Sequence, residues 1–256
     1  MIEIPIVPII TGVLTIGIRL TGLMLFAPFF GSSVIPARVK AIFVIAMTFL
    51  LSPVIGKYVM PTSVQNWPWL IITEFMIGAG IGIATNVIFE AAQLAGQILG
   101  IQMGYSLVNI LDPQTQVDTP VVAMFYQSIL MLLFLQMDVH YWILYSLGNS
   151  YRYMPPGNAH IGNLFTWEVV RIVGQIFALG VQIGAPVLAA TLAADIVFGL
   201  LGKASPQLPL MLLGPPVKSI LGIFILAATL RYWPDMFRRL FMGAIANTEH
   251  LFHLAS

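Results

Sequence analysis

Ionisable side chains inside apolar segments are the residues of this chain best suited to chemistry in a membrane. Arg19, Glu74, Glu90 and Asp195 each lie within or beside a long apolar run. A charge at the bilayer centre costs about 2.5–3.5 kcal/mol on insertion scales, so it usually faces a protein interior, a partner or a water-filled path. These residues therefore indicate either an ion relay or interfacial placement at helix ends. Arg19 and Glu74 are the more interior pair and could neutralise each other.

Residues for catalysis or metal binding are sparse. The sequence has no Cys, no HExxH, no GxSxG and no Walker A motif, which argues against the common hydrolase, metalloprotease and ATPase sites. An intramembrane enzyme would have to use His140 and Asp138, but no nucleophile and base share one helix face. His250 and His253 lie beside Glu249 in the tail, where we expect a solvated, fraying terminus rather than a metal site. The prediction is a protein that is not an enzyme and holds no metal or cofactor.

The composition places these residues in a membrane. Of the 256 residues, 59% are hydrophobic and 8% are charged, whereas a soluble domain is about half apolar and about a quarter charged. So few charges cannot cover a water-facing surface. The net charge of +1 gives no basis for nucleic-acid binding, which requires clustered Lys and Arg. The predicted fold class is an all-α, polytopic integral membrane protein.

Long apolar runs predict the helices that position the ionisable residues. A span needs about 20 mostly apolar residues, and the runs indicate six or seven passes, with 138–171 as a loop and 231–256 as a tail. The run 67–111 fits two spans or one long helix with a hairpin. Pro206, Pro209, Pro215 and Pro216 indicate a break or re-entrant bend in the last run. The predicted helices lie near 9–30, 41–59, 67–89, 91–111, 120–137, 172–194 and 206–230.

The Lys and Arg residues predict the orientation. Arg38 and Lys40 lie in the loop 31–40, and further Arg residues lie in 138–171 and in the tail. With seven passes these segments share one side, which their positive charge marks as cytoplasmic.

A stripe of small residues predicts a close helix contact. Ala92, Gly96, Gly100 and Gly104 recur at every fourth position and therefore share one helix face. Small side chains let another backbone approach closely in a membrane. The same spacing recurs at Gly78 and Gly82, and at Gly180 and Gly184.

Amide side chains accompany the small residues. Amides in lipid must find hydrogen-bond partners. Helix–helix hydrogen bonds within one chain would satisfy them, and so would a subunit interface or a wet pore wall. The amides in question are Gln93, Gln97, Gln102, Gln175 and Gln182.

A polar loop follows the stripe and separates two apolar helices. Asp112-Pro113 favours a turn, and Asp118 or Thr119 can cap the helix that begins at Pro120. Taken alone, this pattern is typical of an exposed connector.

Three stretches resemble the FliR/SctT family of flagellar and type III secretion export gates. They occur in family order, cover nearly the whole chain, and are most specific in the middle one. Pro209 departs from the family, in which a more polar residue is expected. The closeness of the middle stretch favours a flagellar system over a virulence system. The stretches are APFFGSSVIPARVK at 27–40, EAAQLAGQILGIQMGYSLVNILDPQTQVDTP at 90–120 and KASPQLPLMLLGPPVKSILG at 203–222.

The resemblance implies a core subunit of a heteromeric export gate. Family members assemble with FliP-like and FliQ-like subunits into a helical gate of long kinked helices and helical hairpins, with FlhA-like and FlhB-like proteins around it. For this chain it implies one domain over 1–256, with a FliP-like part at about 1–150 and a FliQ-like part at about 151–256. It also implies the lipid of the bacterial inner membrane at the flagellar basal body, and unfolded substrates in transit.

The resemblance also assigns a role to the polar loop. It implies a plug across the closed pore, in which the apolar residues seal and the polar residues tolerate water. Met103 and Met124, near its two ends, are soft enough to repack. The implied plug consists of Leu107, Val108, Asn109, Ile110, Leu111, Asp112, Pro113, Gln114, Thr115, Gln116, Val117 and Asp118.

A secondary transporter is the competing hypothesis. It would use Glu74, Glu90 and Arg19 as an ion relay and would work alone or as a small homo-oligomer. A gate subunit instead needs heterologous partners. The sequence shows no internal repeat, so an inverted-repeat transporter is not favoured. Neighbouring genes for FliP-like and FliQ-like proteins would separate the two hypotheses.

Overall fold

Eight α-helices make up the described part of the chain. The computed structural model describes residues 6–32, 35–55, 67–105, 121–156, 163–207 and 209–255. Every regular element within these ranges is helical, as the sequence predicts. The helices are α1 (Ile6–Phe26), α2 (Ala37–Ile55), α3 (Trp67–Gln102), α4 (Val121–Gln136), α5 (Val139–Tyr153), α6 (Asn163–Ala204), α7 (Leu210–Thr229) and α8 (Trp233–Ala255), with a 3-10 turn at Leu230–Tyr232 between the last two.

The predicted loop over 138–171 is wrong for most of its described length. Helix α5 occupies 139–153 and α6 begins at Asn163. The helix α5 is amphipathic, so it contains no uninterrupted apolar run that would mark it as a span. The apolar residues of its buried face recur at every fourth position and are Val139, Ile143, Leu147 and Tyr151.

The predicted fraying tail is also wrong, because α8 continues to Ala255. This helix mixes charged residues with a buried aromatic face, and the mixture hid the helix from a search for apolar runs. The buried aromatic residues are Trp233, Phe237 and Phe241, again four apart.

Two ambiguous runs are resolved by the structure. The run from residue 67 forms one helix of 36 residues to Gln102 rather than two spans. In the proline-rich run, α6 ends at Ala204 and α7 begins at Leu210, so the break falls at 205–209. Pro215 and Pro216 lie inside α7 and do not end it.

Among the described residues, fewer helices can cross a membrane than the six or seven that the apolar runs predict. By length and composition, the described residues provide three spans, at Trp67–Gln102, Phe165–Ala204 and Leu212–Thr248. A fourth exists if α4 and α5 form one broken span. Asp138 stands at that break with a positive φ of 56°. The apolar stretch of α1, Thr11–Phe26, is shorter than these spans.

Contacts divide the chain into two compact units. The first comprises 1–87, 138–174 and 240–256, and the second comprises 88–137 and 175–239. Helices α3 and α6 each contribute residues to both units. The first unit has a core around Ile16, Leu20 and Ile77, and the second has one around Leu99 and Leu130.

Candidate functional site

The predicted plug, residues 107–118, lies outside the described residues. The candidate site is therefore built from the two helix ends that hold this segment. Helix α3 leads into it and α4 leads out of it, and both helix ends belong to the second unit.

The end of α3 is a Schellman motif centred on Gly104. The N–H of Gly104 donates to the carbonyl of Ile101 at 3.1 Å, and the N–H of Tyr105 donates to the carbonyl of Gly100 at 3.0 Å. This pairing requires a left-handed residue after the helix, and Gly104 has a φ of 87°. The structure thus places Gly104, the last member of the predicted stripe, at a position where glycine is required by the backbone.

Helix α7 clamps this helix end. The Oγ of Ser219 donates a hydrogen bond of 2.6 Å to the carbonyl of Met103. A methyl group at Gly222 would come within 2.7 Å of the Met103 Cε, and one at Gly104 would come within 2.7 Å of the Pro215 Cβ. Pro215, Ser219 and Gly222 are spaced as one helix face. The middle and last stretches that carry the family resemblance therefore meet here, although Met103 and Ser219 are 116 residues apart.

The remaining stripe residues are buried in the second unit. A methyl group at Gly96 would meet the backbone of Ala123 on α4. On another side of α3, a methyl group at Gly180 of α6 would lie 3.1 Å from the carbonyl oxygen of Ala91. Ala92 and Gly100 are also buried. The close contacts seen at Gly96 and Gly180 are thus made within this chain.

One of the predicted amides has a partner in the same chain. The Nε2 of Gln127 on α4 donates to the Oε1 of Gln93 on α3 at 2.7 Å. For Gln93 this favours the interpretation of a helix–helix hydrogen bond. Gln182, by contrast, is exposed on α6, where a partner subunit or water would have to satisfy it.

The first unit contains the predicted buried ion pair. The Nε of Arg19 on α1 lies 2.7 Å from the Oε2 of Glu74 on α3, and both side chains are fully buried. The other two nitrogens of the guanidinium donate to the Oγ of Ser150 at 2.8 Å and to the carbonyl of Met154 at 3.1 Å. The guanidinium carbon also lies 4.0 Å from the centre of the Tyr151 ring. The mutual neutralisation of Arg19 and Glu74 is confirmed.

Glycines bring the two charged helices together. A methyl group at Gly78 would meet the carbonyl oxygen of Arg19, and one at Gly22 would meet the carbonyl oxygen of Phe75. Because α1 and α3 touch backbone to backbone, Arg19 reaches Glu74 without crossing lipid. The other partners of Arg19 are a hydroxyl, a carbonyl and an aromatic ring, and such fixed partners favour a structural anchor over a proton relay.

The sequence analysis missed the partner of Asp195. The Nζ of Lys218 lies 2.8 Å from the Asp195 Oδ1 and links α6 to α7. Asp195 precedes the end of α6 by nine residues, and Lys218 follows the start of α7 by eight. A helical hairpin around 205–209 pairs such positions, so the proline-rich break was a usable signal. Within the described residues, no group of three or more His, Asp or Glu could hold a metal ion.

These features define a class: a polytopic α-helical membrane protein with closely packed helices and a buried ion pair. A sequence profile of the bacterial export proteins, family 1, matches residues 10–244. The chain belongs to this family.

Relatives cover nearly the same length of chain. The flagellar biosynthetic protein FliR of Pectobacterium carotovorum subsp. carotovorum is 30% identical over 225 residues, 88% of this chain and 86% of that protein. FliR of Escherichia coli (strain K12) is 28% identical over 211 residues, with 82% and 81% covered. FliR of Bacillus subtilis (strain 168) is 24% identical over 244 residues, with 94% of each covered. The predicted resemblance to the FliR/SctT family is confirmed, and the transporter hypothesis is not supported.

Proposed function

We propose that this chain is a core subunit of the flagellar protein export gate. It works in the bacterial inner membrane at the flagellar basal body and helps to form and close the channel for unfolded substrates. It acts by packing and steric closure, without a catalytic site or a cofactor. The proposal is supported by the family membership and, within the structure, by the hydrogen bond from Ser219 to the carbonyl of Met103.

A plug must hold its place when the gate is idle and move when a substrate passes. A short segment does this best when the helix ends on both sides of it are fixed and only its middle moves. Here Ser219 and Pro215 hold the end of α3, and Gly104 turns the chain away from the helix axis. On the other side of the segment, Ala123 near the start of α4 packs on Gly96. These two fixed helix ends support our proposal that residues 107–118, which connect them in the sequence, are the plug.

The proposed partners are FliP-like and FliQ-like subunits, with FlhA-like and FlhB-like proteins beside them. The exposed apolar surface supports heterologous partners as well as lipid. In α3, 67% of the most apolar stretch is buried, against 28% in α6 and 17% in Leu212–Thr248. Exposed apolar area of this extent needs lipid or protein to cover it. In this proposal 1–256 is one gate domain, with a FliP-like part at about 1–150 and a FliQ-like part at about 151–256.

The deciding experiment deletes the middle of the proposed plug and keeps the helix ends on both sides of it. We expect a deletion of residues 110–116 to leave the complex assembled and the membrane leaky, because a lumen wide enough for an unfolded chain passes hydrated ions. Growth and the uptake of ions or a small dye are measured in cells that carry the co-expressed gate. Asp112→Asn is the matched control, and its effect should be mild because Asn preserves the turn.

Two outcomes separate the parts of this proposal. Normal membrane tightness in the deletion, with assembly confirmed by co-purification, would move the seal to another subunit and leave the gate assignment intact. Failure of the full-length chain to co-purify with FliP-like and FliQ-like subunits would overturn the gate assignment itself.

A further inference from the structure

The turn after α1 and the start of α2 line a half-open cavity of about 420 Å³ within the first unit. This volume falls in the range of about 300–1,000 Å³ that small-molecule sites occupy. The walls are almost entirely apolar, and the one cation among the lining residues is Lys40. Most of the lining residues belong to the first of the three stretches that carry the family resemblance. The proposed plug does not involve this stretch.

The aromatic wall of the cavity has a defined geometry. The rings of Phe30 and Phe43 lie 5.7 Å apart between centroids, and those of Phe29 and Phe30 lie 5.3 Å apart in a T-shaped arrangement. Val39 and Phe43 share the face of α2 that lines the cavity, and Pro36, just before the helix, lines it as well. The result is an apolar surface that a flexible hydrocarbon chain can contact.

The turn that shapes this wall is strained at one residue. Phe29 has a φ of 67°, which is unusual for a bulky side chain. The turn is held by hydrogen bonds from Gly31 N–H to the Ala27 carbonyl at 2.8 Å and from Phe30 N–H to the Pro28 carbonyl at 2.8 Å. Strain of this kind persists where the surroundings demand it and is concentrated at binding sites.

Positive charge stands at the edge of the apolar cavity. Lys40 lines it, and Arg38 is exposed in the same first turn of α2. Among the described residues, neither side chain forms an ion pair. Both precede the apolar run of α2 directly, and cations that flank such a run lie at the level of the lipid headgroups. Basic pockets between membrane helices on the cytoplasmic side are suited to anionic headgroups.

We propose that this cavity binds an anionic phospholipid. An acyl chain packs against Phe30 and Phe43, and the phosphate lies at Lys40 and Arg38. The site tethers the turn between α1 and α2 to the membrane leaflet. This inference rests on the first unit alone and does not depend on the gate function.

The test is photo-crosslinking of lipids to the full chain, with the subunits that co-purify with it, in phosphatidylcholine nanodiscs. A small fraction of phosphatidylglycerol or phosphatidylcholine carries the same photoactivatable acyl chain, and labelled peptides are identified by mass spectrometry. We expect phosphatidylglycerol to label the peptide with Phe29, Phe30 and Phe43 in preference to phosphatidylcholine. Lys40→Gln should lower this labelling about fivefold, the equivalent of about 1 kcal/mol for one cation near the headgroups.

Three variants make the result specific. Lys40→Arg should retain the labelling because it keeps the charge, and Val39→Trp should remove it by filling the cavity. Arg152→Gln removes another exposed cation of the first unit and should leave the labelling unchanged. Equal labelling by both lipids would overturn the proposal, and so would equal losses in Lys40→Gln and Arg152→Gln. Absence of phosphatidylglycerol labelling at this peptide in the co-purified complex would also overturn the proposal.

Discussion

Arg19 shows how a charge is accommodated in an apolar helix bundle. Its three nitrogens have one partner each, and its planar guanidinium lies against the Tyr151 ring. Such an arrangement links α1, α3 and α5 through one side chain. A buried ion pair stabilises less than its Coulomb energy suggests, because both charges lose their hydration. The main effect of the ion pair is therefore to select which helices pack together. A variant that leaves one of the two charges buried alone is strongly destabilised.

The double substitution of this pair should be much less destabilising than either single substitution. Arg19→Met or Glu74→Leu alone should destabilise the solubilised protein by about 3–5 kcal/mol, whereas the double variant should be much less harmful. Thermal unfolding followed by size exclusion of the solubilised protein measures this as a double-mutant cycle. Glu168→Gln is the control, since its partner Arg171 is largely exposed and a surface pair contributes about 0–1 kcal/mol. Additive losses in the double variant would show that the two residues do not act as a pair.

At the scale of the elements, glycines determine which helices approach closely. In the first unit they allow contact between α1 and α3, and in the second unit they allow contact of α3 with α4 and α6. Gly104 is different, because its positive φ is needed to end α3. The stripe therefore combines packing positions with one capping position, and the two kinds should respond differently to substitution.

Gly96→Ala should disturb the α3–α4 contact, because the added methyl group meets the backbone of Ala123. Overpacking of this kind costs about 1–3 kcal/mol, and we expect Gly100→Leu to disrupt assembly for the same reason. The readouts are complex yield and motility. Gly148→Ala on α5 is the matched control, since no described atom lies within 4 Å of the new methyl group. Unchanged yield and motility for both Gly96→Ala and Gly100→Leu would show that the stripe is incidental.

At the scale of the whole molecule, the described helices differ in how much apolar surface they expose. Helices α6 and α7 expose large side chains along much of their length, including Phe177, Ile196, Ile220 and Phe224. Gln182 on α6 is exposed as well, and an amide is poorly matched to lipid. A partner that offers both apolar contacts and hydrogen bonds fits this surface better than lipid alone.

The chain made alone should therefore be unstable or aggregated. Co-expression with FliP-like and FliQ-like subunits should give a discrete complex, because the subunits cover the exposed helices. Size exclusion of the detergent-solubilised material, with and without co-expression, provides the comparison. A monodisperse and functional homo-oligomer of this chain would contradict the gate proposal.

The sequence by itself determined the class and the family, and it indicated the pairing of Arg19 with Glu74 beside an ion relay or interfacial placement. Composition and apolar runs depend only on which residues are present and on their local order, and they sufficed for an all-α membrane protein. The three matching stretches identified the family because they carry unusual residue combinations in a fixed order. Arg19 and Glu74 were recognised since two opposite charges deep in apolar runs have few ways to avoid a bare charge in lipid. The plug at 107–118 and the division near residue 150 stay predictions.

Only the tertiary structure revealed α5 and α8 as helices, because their amphipathic faces are apolar only where they meet the core. It alone showed that Lys218 neutralises Asp195 and that Ser219 holds the end of α3. Local sequence carries periodicity and capping signals, but it does not say which distant segment will lie alongside. The meeting of Met103 and Ser219 depends on the path of the 116 residues between them. That path is set by the packing of all the helices together, which no single stretch of sequence encodes.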